Sequence, residues 1–122
     1  MMGFQWDDPF GIAKRRARRR AELEQHLRFV RTNNLNVIRL DRVYQKARTG
    51  EKGYGLHVHS GQPCDIWFHG AWPDAKKVYI LQGFWRGPET EPVWWHHHSI
   101  SFFHVNRIIG EIPWKVWRAG ER

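Results

Sequence analysis

The chain has 122 residues, 20 of them Lys or Arg and 12 Asp or Glu, which gives a formal charge of +8 and a pI near 10.3. This length fits one domain, residues 1–122, and leaves no room for a second full core. No run approaches the roughly 18 consecutive apolar residues of a membrane span, so a membrane protein crossing by helices is excluded.

At the N-terminus, Asp7 and Asp8 precede the Arg-rich stretch, whereas organellar transit peptides are poor in acidic residues, and no apolar core of a secretory signal follows it. Asp7, Asp8 and Pro9 predict a helix start, with an acidic cap ahead of Pro at the first helical position. The following segment, AKRRARRRAELEQHLRFV, is rich in strong helix formers and predicts a helix to about Arg31, stopped by Asn33 and Asn34. Phe10, Ala13, Ala17 and Ala21 mark one face and Ile12, Leu23, Leu27 and Val30 another. The C-terminal half of the helix can therefore pack, while the basic half resists burial because desolvating its charges is costly.

From Leu35 to Arg48 the pattern is ambiguous. Leu40, Val43, Tyr44 and Ala47 have helical spacing, yet Ile38, Leu40 and Tyr44 also suit one strand face, and the balance leans to a second short helix. Beyond Gly53 the reading turns to β. YGLHVH, DIWFH, KKVYILQGFW and VWWHHHSISFFHV are rich in aromatic and β-branched residues and are separated by turn formers, and EIPWKVW suits an edge strand. The predicted fold class is α+β: a long basic N-terminal helix, with or without a second short one, followed by a small antiparallel β-sheet of four to five strands. The expected division is a basic arm over residues 1–48 and a Trp- and His-rich β body over 49–122.

Charge and aromatic residues divide along the same line. Residues 1–48 carry twelve basic and five acidic side chains, for +7, whereas the remainder carries eight and seven, for +1. Only Trp6 of the eight Trp, and only His26 of the eight His, precede Arg48. The cluster Lys14, Arg15, Arg16, Arg18, Arg19 and Arg20 is the candidate nucleic-acid-binding site, because guanidinium forks bind phosphate oxygens in pairs. Ion pairs such as Arg18 with Glu22 and Arg20 with Glu24 are too few to neutralise it.

The Trp residues exceed what a small core buries, and adjacent Trp94 and Trp95 in one strand must point to opposite faces. Trp67, Trp94 and Trp95 are accordingly the candidate interface residues, for a protein partner or for stacking. His57 with His59, and His96 with His98, share strand faces and could converge on a metal, but no Asp or Glu completes either set. Neither a metal nor any other cofactor is expected. Phosphate loops, a nucleophile elbow and paired catalytic carboxylates are absent from the sequence. The lone Cys64 cannot form an internal disulfide and implies a reducing, intracellular setting, whether cytoplasm, organelle or virion.

The opening FQWDDPFGIAKRRARRR resembles the F-x-W-D start of BrnT-type members of the RelE-like ribonuclease toxins, over that segment and no further. That resemblance implies metal-independent cleavage of RNA, with His104, Arg107 and Tyr79 as acid, base and phosphate-binding groups. His97 or His98 followed by Asn106 resembles part of the HNH-type nuclease set, without its Asp-His pair or closing His. The reading that needs fewest assumptions assigns no catalytic residue. It is a binding or structural module whose arm contacts nucleic acid or another polyanion while its aromatic body joins protein partners in a nucleoprotein or viral assembly, with no membrane partner. The alternatives are a small enzyme acting on nucleic acid, RelE-like or His-metal-dependent, and an inhibitor that binds an acidic site on another protein.

Overall fold

The computed structural model of the protein describes residues 11–86 and 102–120. Helix α1 runs Ile12–Thr32, capped at its C-terminus by Asn33, and five strands follow: β1 Asn36–Ala47, β2 Gly50–His57, β3 Gln62–His69, β4 Lys77–Arg86 and β5 Phe102–Ile112. A short helix, α2 Trp114–Ala119, ends the described chain. The expected helix start at Asp7–Pro9 lies outside the described residues.

The strands close into a barrel in the order β1-β2-β3-β5-β4. β1 pairs antiparallel with both β2 and β4, β2 with β3 and β4 with β5, while β3 and β5 run parallel. The α+β class with five strands therefore holds, but the sheet is mixed, not wholly antiparallel, and it has no free edge. Closure requires β5 to enter between β3 and β4, and only one of its two neighbours can then be antiparallel to it.

The segment that leaned to a second helix is β1. Its pairing with β2 is irregular between Leu40 and Arg42 and again between Val43 and Gln45. Each irregularity interrupts the period of two and leaves Leu40, Val43, Tyr44 and Ala47 at a spacing that imitates a helix. The segment read as an edge strand is also corrected. Pro113 cannot donate to a ladder, ends β5 and opens α2, its carbonyl accepting from the N–H groups of Val116 and Trp117.

Two apolar layers hold the molecule. Ile38, Leu40, Cys64, Ile66, Phe68, Tyr79, Leu81, Phe103 and Val105 fill the barrel. Val37, Val78, Ile80 and Ile112 point outward from β1, β4 and the end of β5, and Leu23 and Val30 of α1 with Val116 and Trp117 of α2 cover them. As expected, the C-terminal half of α1 packs, whereas residues 12–18 are exposed. No helix among the described residues is long and apolar enough to cross a membrane.

One core position works against the fold. Glu51 of β2 lies opposite Phe68 of β3, is 1% exposed, and neither carboxylate oxygen has a hydrogen-bond partner among the described residues. Burial raises its carboxyl above the usual range and Asp74 adds to the rise, against an opposing effect of Lys46. The folded state therefore holds this proton at a pH where the unfolded chain releases it, and stability falls as pH rises above the ordinary carboxyl range. Replacing Glu51→Met, which fills similar space without an orphaned charge, is expected to raise stability at pH 8 by about 1–3 kcal/mol. The gain should be smaller at pH 4.5. Urea unfolding at both pH values checks this, and an equal or negative effect at pH 8 would refute it.

Candidate functional site

The helices cover one side of the barrel, and the outer surface of β2, β3, the first half of β5 and the last third of β4 has no such cover among the described residues. Alternation along each strand places its outward residues here. The pairing registers align them in two rows, Lys52–Trp67–His104–Phe84 and Tyr54–Asp65–Phe102–Arg86, each crossing β2, β3, β5 and β4 in turn. Arg42 of β1 extends the second row beside Tyr54.

Rings and cations interleave across these rows. The Lys52 ammonium lies 4.2 Å from the centre of the Trp67 ring and 5.9 Å from that of Phe102, and the Arg42 guanidinium lies 5.5 Å from Tyr54. His104 stacks between His69, 5.2 Å away at 13°, and Phe84, 5.2 Å away at 10°. The row ends in Phe84, 47% exposed. Tyr44 and Tyr54 are also exposed, and the Tyr44 hydroxyl donates to Asp65 at 2.8 Å. Gly83 permits the close approach of β4 to β5, since a Cβ there would fall 2.2 Å from the His104 carbonyl oxygen and 2.5 Å from the Phe103 ring.

The polar atoms of the first row form a directed chain. Trp67 Nε1–H can only donate, and it donates to His69 Nδ1. His69 Nε2 must then carry the proton it shares with His104 Nδ1 at 2.9 Å, which leaves the His104 proton on Nε2. Burial lowers the basicity of both imidazoles, and for His104 the charges of His69, Arg86 and Lys52 lower it further. Both rings are therefore neutral stacking groups at neutral pH. Because the folded state disfavours their protonated forms, their contribution to stability is present above the ordinary His range and declines as pH falls through it.

The other sequence candidates are dispersed. Trp67 lies at the centre of the face, half-buried; Trp94 and Trp95 lie outside the described residues, as do His96, His97 and His98. His57 and His59 do not share a face, because β2 ends at His57 and His59 sits in the following turn. Both His57 ring nitrogens are engaged, Nδ1 with Ser60 at 2.8 Å and Nε2 with Asn36 Oδ1 at 3.0 Å, and the ring packs against Trp85 and Phe103 at the end of the barrel. Among the described residues no three His, Cys, Asp or Glu side chains converge as a metal site would require. Cys64 faces the barrel interior, where burial pushes its thiol up to about 12.

Tyr79, His104 and Arg107 are not assembled: Tyr79 is buried inside the barrel with its hydroxyl on the Asp74 carbonyl, whereas His104 points outward. Of the basic cluster, Arg15, Arg16 and Arg19 line a cleft against α2. Sequence reasoning missed Lys52, Tyr54, Phe84, Phe102, Arg42 and Arg86. Their alternation marks one side of each strand, but which strands are neighbours is not written locally. Comparison with known proteins returns no matching family model, no matching curated protein and no matching solved structure.

The Trp67–His69–His104 chain is directly testable. Replacing Trp67→Phe removes the donor that favours neutral His69 Nδ1, so the His69 titration midpoint should rise toward the ordinary His value in a carbon-detected NMR titration. An unchanged or lower midpoint would overturn the assigned direction of the chain.

Proposed function

We propose that this protein is a non-catalytic nucleic-acid-binding module whose barrel face holds a single strand and whose α1 cations add contacts to phosphate. The observation that carries the reading is the pair of rows in which the exposed or half-buried rings of Tyr54, Trp67, Phe84, Phe102 and His104 share one outer face with Arg42, Lys52 and Arg86. Unpaired bases present flat faces that stack on such rings, while the phosphates beside them need cations. A duplex offers no such faces along its length, which is why the single strand is favoured.

Architecture supports the same reading by analogy. Small five-stranded barrels of the oligonucleotide- and oligosaccharide-binding type use the outer face of their second and third strands together with flanking loops. Function resides in the site and not in the barrel as such, and here the site adds charge through Lys52, Arg42 and Arg86. A neutral sugar chain would have no use for these cations. The separation of buried Tyr79 from outward His104 favours binding over cleavage.

The test uses the intact chain with labelled single-stranded DNA, RNA and duplex DNA over a range of salt. Phe84→Ala is expected to weaken single-strand binding by the ~1–3 kcal/mol of one stacked base. Lys52→Ala should lower the salt slope by about 0.7, the value of one phosphate contact on a single strand. Thermal melts confirm folding, and labelled RNA should stay intact. Duplex binding equal to single-strand binding, or equal binding of a neutral oligosaccharide, would refute the reading of the face. The arm is tested by substitution and not by truncation, because Leu23 and Val30 of the same helix belong to the core.

A further inference from the structure

A second basic site lies on the helix layer, away from the aromatic face. Ile12, Arg15, Arg16 and Arg19 occur at i, i+3, i+4 and i+7 of α1 and so share one side of the helix. Trp114, Lys115, Arg118 and Ala119 of α2 stand opposite, and together these residues line a cleft of about 580 Å³. Close packing holds the two helices in this relation. A Cβ on Gly120, just past α2, would fall 2.2 Å from Leu23 Cδ2 of α1.

Beside Arg15, the cleft thus gathers the cationic side chains of Arg16, Arg19, Lys115 and Arg118 from two helices, and among the described residues no Asp or Glu lines it. Like charges held together raise the local potential and attract an anion in proportion. Trp114, 41% exposed, supplies a flat apolar wall beside them. Phosphate with an adjoining planar base meets both features, since guanidinium groups hold the oxygens and the indole accepts the ring. The volume falls within the roughly 300–1,000 Å³ range of small-ligand clefts.

We infer that the cleft between α1 and α2 is a second nucleotide-binding site, which engages a segment of nucleic acid separate from the one on the barrel face and lets one molecule hold two strands. This rests on the proposed reading of the barrel face for the first strand only. The cleft's own chemistry stands without it.

The experiment titrates the full-length ¹⁵N-labelled protein first with inorganic triphosphate and then with a five-nucleotide oligothymidylate. The Trp114 indole N–H signal, assigned by Trp114→Phe, is expected to move saturably with both. Combined Arg16→Ala, Arg19→Ala and Arg118→Ala, all on exposed or half-exposed helix positions, should weaken triphosphate binding at least roughly ten-fold, while the amide spectrum shows the fold intact. Calorimetry should find two oligonucleotides per wild-type chain. One should remain after the cleft substitutions, and one after Phe84→Ala with Lys52→Ala.

If the cleft substitutions leave triphosphate affinity unchanged, the inference is overturned. It is also overturned if triphosphate occupies the cleft but only one oligonucleotide binds and the face substitutions remove it. If instead the cleft substitutions abolish all oligonucleotide binding and the face substitutions change nothing, the face reading fails and the cleft stands.

Discussion

Barrel closure is the constraint on which the rest of the structure depends. A five-stranded sheet has two edges, and here both vanish because β1 pairs with β2 and β4 while β5 fits between β3 and β4. Closure turns one side of every strand inward, where Ile38, Ile66, Phe68, Leu81 and Phe103 meet as a single core. The other side must be either covered or exposed. α1 and α2 cover the part formed by β1, the start of β4 and the end of β5, and the remainder becomes the aromatic and basic face.

β4 shows how one strand serves both surfaces. Its outward residues are Val78 and Ile80 beneath the helices, then Phe84 and Arg86 on the open face. The change from aliphatic to aromatic and charged along a single side of one strand follows the boundary of the helix layer. Irregular pairing with β5 between Ile80 and Leu81 and between Gln82 and Gly83 lies at that boundary and adds local twist. The coiled end carries Phe84 onto His104, with Gly83 leaving space for the neighbouring backbone.

The charge of the chain is likewise divided by the fold. The basic half of α1 stays in water because burying it would cost several kcal/mol per unpaired ion, and its neighbour α2 contributes further cations and no acid. The cations of the barrel face are fewer and are interleaved with rings. Two chemically different surfaces thus carry the cations, the helix cleft densely and the barrel face interspersed with aromatic rings.

The long helix, its end near Asn33, its packing C-terminal half and the β character beyond Gly53 were legible in the sequence, because helix propensity, caps and apolar spacing act within a few residues. The strand nature of residues 36–47 was not, since irregular pairing disguised its period, and α2 was hidden because a Pro that ends a strand looks locally like a Pro on an edge. The sequence also singled out the Arg cluster, which lies on the exposed half of α1, and Trp67, which lies half-buried on the outer face of β3. It could not align Lys52, Trp67, His104 and Phe84, residues that are far apart in the chain and adjacent only through the β2–β3–β5–β4 order. What the sequence by itself determined was local conformation and total charge; which side chains form a surface was decided only by the tertiary structure, because strand neighbours are selected by closure of the barrel and burial of a shared core, not by any property of one segment.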